Sequence, residues 1–234
     1  AQPSPAMYLS DLDWSEGVRE FNRREHQGFL DVMRITGQRP YCYGQPGASW
    51  APQAFEALRQ WGVRVYLDSI DIIDLDQRPF WYSGVLTLCS LEHEMRVELG
   101  ESSDLDTAKA RFSASREKIL AEGGPGAVSI FYHPCEFVHS QFWDGVNFSK
   151  GANPAPQDWK NPPMKSSEAI ETGFANFEGF ISYIKSFSEV EFVTASQALE
   201  IFPDQARLSA FTGRDLEMLA SGVIRDGVKY QVAG

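Results

Sequence analysis

Apolar positions along the chain recur with two periods, and the switches between them mark out its elements. Val18, Phe21, Phe29, Val32 and Ile35 return at helical spacing, with Asp13 or Ser15 available as N-cap and Gly37 as the stop. They predict a long helix whose stripe is interrupted by Glu25 and His26 as a partly exposed flank. Tyr41-Cys42-Tyr43 reads as a short aromatic strand, broken by the turn Gly44-Gln45-Pro46-Gly47. A helix over Ser49 to Gln60 follows, with Ser49 as N-cap, Pro52 in the first turn, and Phe55 and Leu58 on one side. Gly62 ends it, and Val63 to Leu67 alternates as a strand that runs into Asp68. Strand, helix, strand is the unit of a parallel sheet with a right-handed crossover.

After Asp68 the segment Phe80-Trp81-Tyr82-Ser83-Gly84-Val85-Leu86 predicts a hairpin or two short strands with an aromatic face. A second long helix is expected from about Ser103 to Glu122, stopped by Gly123-Gly124-Pro125-Gly126. The apolar run Ala127 to Tyr132 predicts a buried parallel strand that delivers His133-Pro134-Cys135-Glu136-Phe137-Val138-His139 at its carboxyl end. Ser140 to Lys165 is a long irregular segment dense in Trp, Asn, Gly and Pro, and its aromatic content argues for a binding loop over disorder. Ser166 or Ser167 caps a further helix to about Ser186, Glu191 to Thr194 reads as a strand, and Ala195 to Ile201 as a short helix. Residues 1–12 read as an irregular entry. The whole is an α/β domain over residues 1–202 with a helical extension and a terminal strand over 203–234.

With 234 residues the chain is long enough for one large domain with its own core. Asp and Glu number 32 against 21 Lys and Arg, and no dense basic run offsets them, which argues against a nucleic-acid partner. No apolar run reaches the roughly 18 residues of a membrane-spanning helix. The start lacks the basic-plus-apolar plan of a signal peptide. Cys42, Cys89 and Cys135 are an odd number without Cys-x-x-Cys spacing, so neither a disulfide framework nor a cysteine zinc site is implied. Compartment and oligomeric state stay open.

The expected strand ends carry the chemistry. The unperturbed imidazole of a histidine ionises near neutrality, which suits His133 to a general acid or base role; the alternative is a structural histidine bonded to a carbonyl, and its expected place at a strand end favours the first. Asp68 either holds a base or a substrate hydroxyl, or caps the next turn. His133, Glu136 and His139 would approach a common ligand if Pro134 began a helical turn, as a metal chelate or as hydrogen-bonding groups for substrate or loop, although a spacing of six faces poorly. Tyr43, Trp50, Trp81, Tyr82, Trp143 and Trp159 suit stacking on the apolar faces of sugar rings, or equally core packing, and Gln45 and Asn147 add amides to the same rim. There is no Gly-rich phosphate loop and no Gly-x-Ser-x-Gly elbow.

Tyr43-Gly44-Gln45-Pro46-Gly47-Ala48-Ser49-Trp50-Ala51-Pro52, followed by Ala57 to Val63 and a strand ending at Asp68, resembles the Arg-Pro-Pro-Gly-Gly-like segment of polysaccharide deacetylases, carbohydrate esterase family 4. Val128 to His133 resembles that family's Leu-x-His strand end, and Val190 to Ala195 its closing strand, so the likeness covers about residues 37–202. It implies a distorted (β/α) barrel and metal-dependent hydrolysis of N- or O-acetyl groups on carbohydrate, with a zinc-like divalent ion. His133 would be the acid on the leaving group, and Tyr43 to Gly47 would line the acyl pocket. The family's early Asp-Asp strand end and its His-x-x-x-His pair have no counterpart here, and Gly44 stands where its arginine is expected. The metal ligands are therefore not identifiable in this chain, and opening strands preceding Ala1 are the expected explanation. The alternatives are a non-catalytic carbohydrate-binding or structural relative that lost the metal site, and a protein-interaction domain using the loop from Ser140 to Pro163.

Overall fold

The computed structural model describes residues 4–44, 51–67, 78–88 and 95–204. They fall into two compact units. A sheet unit takes the described residues of Pro3–Leu91, Gly124–Ser129 and Val193–Gly234, and a helical unit takes those of Glu92–Gly123 and Ile130–Phe192. The expected extension from residue 203 lies, beyond residue 204, outside the described residues.

In the sheet unit, α1 (Pro5–Leu9) precedes α2 (Trp14–Thr36), so the entry is helical where an irregular one is expected. Pro5 explains it, because proline at the first helical position costs no hydrogen bond and presets φ. The Asp13 carboxylate accepts from the Glu16 N–H at 2.7 Å and starts α2. Gly37, at φ 68°, ends it by donating its N–H to the Met33 carbonyl. Then come β1 (Cys42–Gly44), α3 (Pro52–Gln60) and β2 (Val65–Leu67), with β1 and β2 parallel in the register Tyr43 opposite Tyr66. This is the crossover that the alternation predicts. A hairpin of β3 (Phe80–Tyr82) and β4 (Val85–Leu88) turns on Ser83 and Gly84, both at positive φ, as a two-residue hairpin loop requires.

The sheet is four-stranded, mixed and open, in the order β1-β2-β4-β3, with β3 the antiparallel strand. Alternation along the strands serves two faces. Tyr66 and Val85 pack with Phe21 of α2 and Phe55 and Leu58 of α3, while Val65, Leu86 and Leu88 pack with Ala198 of the helix Ala195–Ile201. Burying each of Phe21, Phe55 and Leu58 completely contributes about 1.5–3 kcal/mol.

The helical unit rests on α4 (Asp104–Glu122), α5 (Pro134–Val138), α6 (Trp143–Asn147) and α7 (Ser167–Lys185). Phe112 of α4 meets Phe180 and Tyr183 of α7 edge-on, and the hydroxyls of Ser113 and Tyr183 lie 2.6 Å apart. Ser166 caps α7 by accepting from the Ala169 N–H. Back in the sheet unit, α8 (Ala195–Ile201) opens with a full capping box between Thr194 and Gln197.

Two expected strands are not formed. Ala127 to Tyr132 carries an isolated bridge position at Ser129 and no strand. The run divides between the units: Ala127 packs into the sheet unit, whereas the Tyr132 hydroxyl donates to the Met95 carbonyl in the helical unit. Glu191 to Thr194 is also irregular; Phe192 and Val193 stand exposed, and Thr194 serves as a helix cap. Among the described residues no helix is long and apolar enough to cross a membrane.

Candidate functional site

Pro134 opens α5 with His133 as its N-cap residue, and one helical turn brings Glu136 back beside the imidazole. His133 Nδ1 and Glu136 Oε2 lie 2.7 Å apart. Glu136 in turn faces Arg96, whose terminal nitrogen is 2.6 Å from the same oxygen. Arg96 Nε donates to Glu98 Oε1, also at 2.6 Å. Glu98 is fully buried. Lys165 braces the backbone around this row, its Nζ donating to the carbonyls of Glu98 at 2.7 Å, Leu99 at 2.9 Å and Glu136 at 2.5 Å.

Electrostatics follow from that row. Partial burial pushes the Glu136 carboxyl up, but the Arg96 guanidinium and His133 outweigh it and hold the group below the usual carboxylate range. An ionised Glu136 is the acceptor for an Nδ1–H of His133, and a neutral ring held in that way would carry its lone pair on Nε2. The His133 side chain is 40% exposed, and Nε2 has no hydrogen-bond partner among the described residues. Phe131 and Phe142 stand edge-on to the ring, at 5.2 and 4.8 Å between centroids. The result is an oriented imidazole with one nitrogen available.

The loop after α5 is more ordered than its composition suggests, with α6 and two short 3-10 turns within it. Trp143 meets Phe148 and Trp159 edge-on at 5.3 and 5.1 Å, and Trp159 keeps 46% of its surface exposed. Asn147 is buried, and its amide is engaged within the loop: it donates to the carbonyls of Trp143 and Lys160 and accepts from the Lys160 N–H. His139 forms an isolated bridge with Met164, and its buried Nδ1 lacks a hydrogen-bond partner.

Of the other expected site residues, Tyr43, Trp81 and Tyr82 belong to the sheet unit. Tyr43 stacks on Tyr66 at 5.8 Å, with its phenol pushed up by burial and then by Glu25. Trp81 donates its indole N–H to the Phe202 carbonyl at 2.9 Å, and Tyr82 meets Phe55 edge-on at 5.0 Å. Gln45, Trp50 and Asp68 lie outside the described residues. Arg96, Glu98 and Lys165 are the residues that sequence reasoning misses. The alternation Arg96-Val97-Glu98 around a fully buried valine is the one signal that could have marked two of them.

The donors at His133 do not fit a divalent ion as they stand. Arg96 already neutralises the Glu136 carboxylate, and among the described residues no group of three or more His, Cys, Asp or Glu side chains is placed to hold a metal, the triplet with His139 included. No protein-family model, curated protein or solved structure matches the chain.

Proposed function

We propose that the chain is a hydrolase domain acting on N- or O-acetylated carbohydrate, with His133 moving the proton at the leaving group. The observation that carries this reading is the His133–Glu136 pair: an accessible imidazole held at Nδ1 by an ionised carboxylate, with Nε2 unpartnered among the described residues. A carboxylate on one ring nitrogen fixes tautomer and orientation, and the other nitrogen is then set to give or accept a proton. Phe131 and Phe142 supply apolar ring surface beside the imidazole, and Trp143 and Trp159 add rings of the kind on which sugar C–H faces stack in the same unit. The resemblance to polysaccharide deacetylases supports the same role through the order of residues along the chain alone, because the run before His133 forms no strand and the family's late histidine ends one. On this reading the open sheet of the sheet unit is one arc of a distorted (β/α) barrel.

Acetate release from acetylated chito- and xylo-oligosaccharides, with and without added zinc, tests the proposal. His133→Ala is expected to abolish release while the circular dichroism spectrum and melting temperature stay close to those of the parent; unchanged turnover would remove His133 from the mechanism.

One observation favours a second reading, a carbohydrate-binding relative without turnover. Glu136 is already paired with Arg96, which is also how a purely structural latch is built. Binding of the same oligosaccharides in titration calorimetry, with no acetate released, selects this reading.

A further inference from the structure

A carboxylate taken fully out of water is costly, and the cost is offset only when each of its oxygens finds a partner. Glu98 meets half of that condition. Its Oε1 accepts from Arg96 Nε at 2.6 Å, while its Oε2 is buried without a hydrogen-bond partner. Replacing the whole buried pair by packed apolar residues is often neutral, whereas removing Glu98 alone leaves the Arg96 guanidinium short of a carboxylate. Among the described residues the ionic contact of Glu98 is with Arg96, which it aims.

Among the described residues, Arg96 is the side chain that links the Glu98 charge to Glu136 and His133. It lies between two carboxylates: its Nε donates to Glu98, while a terminal nitrogen stands 2.6 Å from Glu136 Oε2 as an ion-pair contact without hydrogen-bond geometry, and Glu136 meets Nδ1 of His133. The groups facing this row from neighbouring segments are the Lys165 ammonium, on the main-chain carbonyls of Glu98, Leu99 and Glu136, and the Tyr132 hydroxyl, on the Met95 carbonyl. Lys165 thus ties the backbone of Glu98 to the backbone of Glu136, so the two ends of the row cannot drift apart. Within that frame the guanidinium is a planar fork, and fixing one prong fixes the direction of the other.

We infer that Glu98 is a positioning residue for His133, acting through Arg96 and Glu136 to hold the ring with its Nδ1 proton inward and Nε2 outward. The inference rests on the reading of His133 as the proton-transfer group, but its physical content is the tautomer and orientation of one imidazole. That content is measurable without any substrate. Removing the charge at Glu98 frees Arg96 to turn toward solvent or to take both oxygens of Glu136, and either change loosens the carboxylate from Nδ1.

The test is nitrogen NMR of the full chain labelled with 15N-histidine, with the His133 signals assigned by their loss in His133→Ala. In the parent the neutral ring is expected to show a protonated Nδ1 and an unprotonated Nε2. In Glu98→Gln, which keeps shape and removes charge, the ratio of the Nδ1–H to the Nε2–H tautomer is expected to fall about tenfold, equivalent to about 1.4 kcal/mol, the loss of roughly one charge-assisted hydrogen bond. An unchanged ratio in a folded Glu98→Gln overturns the inference and leaves Glu98 a packing residue. If that variant does not fold, Arg96→Lys, which keeps the charge but loses the fork, is scored in the same way. Turnover separates the two claims: His133→Ala without effect on acetate release defeats the proposed function while the tautomer result still decides the role of Glu98. Where turnover is present, Glu98→Gln is expected to lower kcat and leave KM unchanged.

Discussion

Trp61, just past the end of α3, donates its indole N–H to the side-chain oxygen of Asn22 on α2 at 2.6 Å. The same indole stacks against Phe21 and His26, with ring centroids at 5.5 and 5.0 Å. This accounts for the break that His26 makes in the apolar stripe of α2, since the imidazole serves there as a flat packing surface. Asn22→Ala leaves a nearly buried N–H without its acceptor, and a loss of about 1–3 kcal/mol is expected in urea unfolding. A midpoint equal to that of the parent would show that the bond contributes nothing.

Gly100 sits at φ 85°, and a Cβ placed on it would come within 2.5 Å of the Ala169 carbonyl oxygen at the start of α7. Two costs combine there, a backbone conformation that L-residues avoid and a contact with main chain that cannot swing away. Gly100→Ala is expected to destabilise the protein by more than about 1 kcal/mol, read as a lowered melting temperature. Neutrality of that substitution would mean that the helical unit tolerates a shift of α7.

Asn147 is the buried polar brace of the aromatic loop. Because Asn147 supplies both a donor and an acceptor to Lys160, Asn147→Ala should loosen the segment from Trp143 to Lys160 before it affects the rest. Faster trypsin cleavage at Lys150 or Lys160 and faster amide exchange in that segment are the expected readouts. Cleavage at the parental rate would place the order of the loop in its rings instead.

Burial pushes the Cys42 thiol up to about 11. The sign follows from desolvation, which penalises the thiolate and leaves the neutral thiol untouched. At pH 8 a free cysteine is partly ionised, whereas a group with this value is ionised to about one part in a thousand, so alkylation of Cys42 should be about a hundredfold slower than that of a free thiol. Peptide mass spectrometry after timed iodoacetamide treatment measures the rate, and parity with glutathione would contradict the burial of this side chain.

The legible part of the fold is the part set by near neighbours. Gly37 stops α2, Ser166 starts α7, Thr194 and Gln197 close a box on α8, and β1-α3-β2 follows from two apolar periods in succession, because each depends on groups within a few residues or on one repeated spacing. Ala127 to Tyr132 has the composition of a strand and forms none, since a strand needs another segment to supply its hydrogen-bond partners and local sequence carries no record of that supply.

The site divides along the same line. That His133 and Glu136 would meet is implicit in their spacing of three after a proline that starts a helical turn, so the sequence alone determined the pair. What stands behind the pair was decided by the tertiary structure: Arg96, Glu98 and Lys165 lie roughly thirty to forty residues away on either side, and they come together only when burial removes water from their charges and leaves carboxylates and main-chain carbonyls as the partners that offset its loss.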